Sequence, residues 1–228
     1  MLRALFGILR THDPLQAIGE SFDRMLKLTF EMTMSAGTIA FGNDAGPGGR
    51  TRIYELDIEV NQLERSIRKR IVAHLTMPGV RADVPHCLLL MTLAKDGERL
   101  GDYAKNLSEV AEVRNGPLPD DEVVGELQEI RRGVEAAFQA ASEIFHAADR
   151  EQAMQTIQRG RDMAHRCDAL ITRIGRGGYA GETTTALVLA TRFYKRIGGH
   201  VMNILSSVVM PIHKIDYYDE DELPGVSE

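Results

Sequence analysis

ERLGDYAKNL, residues 98–107, returns in altered form as KRIGGHVMNI, residues 195–204. Arg99 pairs with Arg196, Gly101 with Gly198 and Asn106 with Asn203. An apolar run precedes each copy, LLLMTLA before the first and TALVLAT before the second. Self-similarity of this kind marks two copies of one supersecondary unit. The unit is helical. Between Asp120 and Asp149 the apolar residues Val123, Leu127, Ile130, Val134, Ala137, Ala141, Ile144 and Ala148 step by fours and threes, the seam of a helix packed against other long helices. The same stepping carries Leu15, Ile18, Phe22, Met25 and Thr29, and Ile53, Leu56, Val60, Leu63 and Ile67.

Start signals agree with the periodicity. Pro14 follows an Asp13 cap, and Pro119 with Asp120, Asp121 and Glu122 places proline and carboxylates in a first turn, where the helix dipole favours them. The pattern predicts helices over 14–40, 51–76, 84–114, 119–148, 150–175 and 183–213, and no period-2 run of strand length occurs. Each repeat is the third helix of a trio, and NGP at 115–117 is the break between trios. The expected fold is all-α, two tandem three-helix bundles, with boundaries at 1–116 and 117–215 and an acidic tail at 216–228. Ile130 lies in the seam and Arg131 outside it, so aspartate at 130 should destabilise the second bundle by several kcal/mol and aspartate at 131 should be nearly neutral.

With 228 residues, 43% hydrophobic and 26% charged, the chain reads as an ordinary soluble globular protein. Its net charge of −6 argues against a general nucleic-acid binder. Cys87 and Cys167 sit alone in apolar helical patterns, as buried thiols of a reducing compartment do, and not as a disulfide or thiolate metal site. The apolar run of MLRALFGILR is too short for a signal-peptide core or a membrane span, so a cytoplasmic location is expected. GNDAGPGGRT lacks the lysine of a phosphate-binding loop and follows a helix where a strand is required, so it reads as a helix connection, as does GRGGYAG at 175–181. The tail DYYDEDE reads as a solvated segment or a docking peptide.

On an ideal helix Leu93, Leu100, Ala104, Leu107 and Ala111 share one arc, with Glu98, Asp102 and Asn106 nearly opposite, outside the core. Glu98 and Asp102 repel at i, i+4 by a few tenths of a kcal/mol, on the order set by like-charge helix pairs. A bound cation or a nearby Arg or Lys reverses that sign. Oxygen ligands without Cys or His suit a hard ion, magnesium, manganese or ferric iron. The competing reading is a solvated helix face neutralised by Lys95, Arg99 or Lys105. Gly101 and Gly198 read as sites of close helix packing.

An apolar helix ending in ERLGDYAKNL, repeated with variation in the second half, resembles the PhoU family of phosphate-signalling regulators. The resemblance runs roughly from Asp57 onward. It implies tandem three-helix bundles and a metal site in which Glu98 and Asp102 supply the E-x-x-x-D element. Asp57, in DIEVNQL, and Asp83 fall where the family carries further aspartates. It further implies contact with a phosphate transporter component and a sensor histidine kinase, membrane contact through those partners only, and room for a homodimer. The second repeat departs from the pattern. Lys195 replaces the glutamate and Gly199 the aspartate, so no cation site of this kind forms there, and the nearby His200 reads as a packing or solvent-facing residue.

No nucleophile with a matched base and no cofactor cradle stands out, so the expectation is a non-enzymatic adaptor restraining phosphate uptake and signalling. Two alternatives stay open: a helical protein for metal binding or storage, and a helical scaffold that has lost the metal role.

Overall fold

The computed structural model describes residues 14–42, 48–114 and 116–216. Among them six long helices follow one another and no strand occurs: α1 (Pro14–Phe41), α2 (Gly49–Leu75), α3 (Val84–Val113), α4 (Glu122–Ala147), α5 (Arg150–Arg176) and α6 (Gly181–Val209). A 3-10 turn (Val80–Asp83) leads into α3, and another (Ile212–Lys214) follows α6. MLRALFGILR, most of the glycine-rich connection after α1, and the acidic tail beyond Asp216 lie outside the described residues.

Packing divides the helices into two trios. α1, α2 and α3 pack on one another, as do α4, α5 and α6, and α3 against α6 with α1 against α4 joins the trios. The seams expected from the 3-4 stepping are the buried ones. Ile18, Met25, Ile53, Val60, Ile67, Leu127 and Ile130 are fully buried. Three aromatic residues that the stepping missed are also in the core: Phe138, Phe145 and Tyr194. Phe22 meets Phe145 edge to face at 5.7 Å and Phe30 meets Phe138 at 5.5 Å, both across the α1–α4 joint.

Two helix ends differ from the sequence expectation by three residues or more. α4 begins at Glu122, not at 119, because the Asp121 carboxylate accepts from the backbone N–H of Val123 and Val124 and so acts as the N-cap. Tyr179 Oη donates to the other oxygen of Asp121 at 2.6 Å, tying the GRGGYAG connection to this helix start. α6 ends at Val209, not at 213, since Pro211 forces Met210 into extended backbone.

The joint between trios is polar as well as apolar. Arg131 Nε donates to Glu135 Oε1 at 2.8 Å, and its Nη1 donates to the Gly37 carbonyl of α1 at 3.0 Å. Its guanidinium also stacks 5.2 Å over the Phe41 ring. Tyr194 Oη donates to the same Glu135 oxygen at 3.1 Å. Arg131 therefore is not a free surface residue; it connects α1 to α4 and, through Glu135, to α6. The sequence expectation that aspartate there is nearly neutral does not survive this geometry.

His146 on α4 places Nε2 2.9 Å from Asp23 Oδ1 on α1. Hydrogen bonding to Asp23 raises the imidazole pKa above its ordinary 6.5, against the opposing effect of burial. A raised histidine stabilises fully below its unfolded value and loses that contribution as pH climbs through its folded value. With the side chain 41% exposed, screening keeps the effect small. The stability difference between wild type and His146→Gln should therefore be largest near pH 6 and fade by pH 9 in thermal melts; a difference independent of pH would mean that the pair is not charged.

Candidate functional site

α3 lies against α2 with Leu100, Ala104 and Leu107 fully buried, which sets Glu98, Asp102 and Lys105 at the groove between the helices. Lys105 Nζ donates to Asp57 Oδ2 at 2.9 Å and to Asp102 Oδ1 at 3.3 Å. Asn61 reaches the same Asp57 oxygen at 3.5 Å. One turn earlier, Lys95 Nζ meets Glu98 at 2.6 Å, and Arg99 lies 3.5 Å from Asp102. Burial alone would lower the Lys105 pKa, but hydrogen bonds and charge from Asp57 and Asp102 carry it above the usual lysine value. The side chains of Glu98 and Asp102 are only 14% and 27% exposed, so they edge the groove and do not point freely to solvent as the helical arc had suggested.

Of the four carboxylates that the resemblance groups together, the structure brings Asp57 and Asp102 onto one ammonium and sets Glu98 one turn away. Asp83 stands apart, fifteen residues before Glu98, which is roughly 20 Å along a helix at 1.5 Å per residue. Its Oδ2 lies 2.8 Å from His74 Nε2. The oxygen donors are of the kind a hard ion takes, yet a lysine ammonium sits among them. Among the described residues no group of three or more His, Cys, Asp and Glu side chains is arranged to hold a metal ion. The residues as placed do not fit one.

In the second repeat Lys195 Nζ contacts both oxygens of Asp168 on α5, at 2.5 and 2.7 Å. Gly199 offers no donor and faces open space. His200 turns instead to the joint between trios, where its Nδ1 lies 2.8 Å from Asp96 Oδ1 on α3 and Asn203 donates to the same oxygen at 2.9 Å. Tyr103 stacks on the His200 ring at 5.5 Å. Asp96 is 5% exposed and was not singled out from the sequence. Its signal was a carboxylate inside an apolar stripe, Leu89, Leu93, Asp96 and Leu100, spaced by fours and threes. Near this cluster the Asp216 carboxyl rises to about 6, through burial first and then the charge of Asp96, with His200 opposing. Gly101 would place a Cβ 3.4 Å from Val60 and 3.5 Å from Thr29, and Gly198 one 3.5 Å from Val134, so both are packing positions.

The PhoU domain matches residues 22–111, from the third turn of α1 to the last turn of α3. The first trio is thus similar to a PhoU domain over most of its length. A phosphate-specific transport system accessory protein PhoU homologue from Synechocystis sp. is 38% identical over 61 residues, 26% of this chain. That match spans about a quarter of the relative's own length, 27%. Two crystal structures share the fold. PhoU from Pseudomonas aeruginosa superimposes with a TM-score of 0.77 at 22% identity, over 88% of this chain and 97% of its own. The phosphate transport system regulatory protein PhoU from Streptococcus pneumoniae gives 0.72 at 17% identity, over 86% and 93%. Tandem three-helix bundles are thus the common frame of all three, with the second trio tied to PhoU proteins by fold.

Proposed function

We propose that the protein regulates phosphate transport by contact, as a cytoplasmic helical adaptor between a phosphate transporter component and a sensor histidine kinase. The PhoU domain at residues 22–111 carries this reading, and the fold shared with the two PhoU structures over most of the chain supports it. No helix among the described residues is long and apolar enough to cross a membrane, which fits contact with the membrane through partners. Burial pushes the Cys87 and Cys167 thiols up to about 11, so neither offers a thiolate nucleophile near neutral pH. That fits a role in binding and not in catalysis.

A surface for such contact runs along the outer face of α2, where Ile58, Arg65, Lys69 and Val72 are all exposed and fall on one line at helical spacing. Ile58 and Val72 are each 57% exposed, high for β-branched residues inside a helix, and on that line Arg65 and Lys69 lie between them. Deleting the gene should derepress phosphate uptake, so that cells in high phosphate behave as though starved. Full-length protein should capture transporter and kinase components from phosphate-replete cells, and Arg65→Glu with Lys69→Glu should weaken that capture at an unchanged melting temperature. Unchanged uptake and unchanged polyphosphate in the deletion strain would overturn the regulatory reading.

A further inference from the structure

We infer that tethered lysine ammonium groups take the place of metal ions, at the acidic cluster of the first trio and opposite the single carboxylate of Asp168 in the second, making the fold indifferent to metal. The inference stands on the geometry of these residues and is independent of the regulatory reading. In the first trio three carboxylates, Asp57, Glu98 and Asp102, face three cations, Lys95, Arg99 and Lys105, so the cluster is neutral as it stands. Lys105 is the central group: of these three cations it is the one that reaches α2, at Asp57, while it also holds Asp102 on its own helix. A divalent ion entering between those carboxylates would meet an ammonium within hydrogen-bond distance of each, and like charge at such range is repulsive even in a high dielectric.

The second trio reaches the same result from a different residue. Lys195 stands where the repeat would place a glutamate, and it spans α6 and α5 by contacting both oxygens of Asp168. In each trio, then, one lysine on the third helix ties it to an aspartate on the second helix, at 2.9 Å in one and 2.5 Å in the other. The covalent tether matters energetically. An ion must be drawn from solution, whereas the lysine is already at the site and gives up only side-chain freedom.

The test uses full-length protein purified without an affinity tag. Wild type, desalted after incubation with manganese, should retain no stoichiometric metal by elemental analysis, and its melting temperature should not move on addition of manganese or magnesium. Lys105→Gln should melt lower and regain part of the loss on adding manganese. A shift of about 5–11 °C is expected at a hundredfold excess over Kd for a protein of this size. Adding Asp102→Asn to Lys105→Gln should remove that response. Lys105→Arg keeps a cation in place and should behave as wild type, which covers the case in which Lys105→Gln does not fold. Manganese retained by wild type or by Lys105→Arg, or a manganese-induced rise in the melting temperature of either, would overturn the inference. So would a folded Lys105→Gln that stays indifferent to manganese, because something other than the ammonium would then exclude the ion.

Discussion

Arg131→Asp is expected to destabilise the protein by about 3–5 kcal/mol, close to the loss from Ile130→Asp and far from the neutrality of an exposed helix position. Ile130 is fully buried in the α4 seam, and an aspartate there is an unpaired charge in the core. Arg131 fails by another route. Its guanidinium holds Glu135 on its own helix and the Gly37 carbonyl of α1, with side chains only 20% and 11% exposed for the Arg–Glu pair. Aspartate at 131 leaves Glu135 without its cation and adds a second carboxylate at i, i+4. Arg132, one residue on, is exposed, and Arg132→Asp should stay within about 0.5 kcal/mol of wild type. Urea unfolding followed by circular dichroism checks all three. If Arg131→Asp unfolds where Arg132→Asp does, the polar joint contributes nothing to stability.

The error about Arg131 shows which part of the structure a single sequence carries. Ile18, Val60 and Ile130 were legible because burial within a trio repeats every three or four residues, and nothing competes with that signal. The joint between trios leaves no such period. It uses residues at the flank of a seam, such as Arg131 and Glu135, and meaning comes to them only when Gly37 and Tyr194 arrive from helices far away in the chain. The same holds for the acidic cluster. Glu98 and Asp102 were visible as an i, i+4 pair, and the three cations that now neutralise the cluster were named as candidates. What could not be read was that Lys105 would choose Asp57, 48 residues earlier, as its nearest partner. From the sequence His200 reads as either a packing or a solvent-facing residue; it packs at the joint, on Asp96, which is 104 residues away and hidden inside an apolar stripe.

Gly37→Ala provides the sharpest measure of how tightly that joint is built. In an ordinary helix interior the change should stabilise by up to about 1 kcal/mol, since alanine surrenders less backbone entropy. Here a Cβ would stand 2.5 Å from Tyr194 Oη, 2.6 Å from Glu135 Oε1 and 3.0 Å from Arg131 Nε. None of the three can retreat cheaply. Tyr194 is fully buried, and the two others are held by the hydrogen bonds that bring Arg131 to Gly37. Gly37→Ala should therefore cost about 2–4 kcal/mol, from overpacking and from the hydrogen bonds broken to relieve it. Tyr194→Phe removes the nearest of the clashing atoms and by itself forfeits one hydrogen bond, about 1 kcal/mol. In that background the cost of Gly37→Ala should fall, with a coupling energy of about 1–2 kcal/mol between the two positions. Additive losses would place the clash elsewhere. A Gly37→Ala protein that melts above wild type would mean that α1 stands off from α4 and α6 at this point, and that the Arg131 bridge does not join the trios.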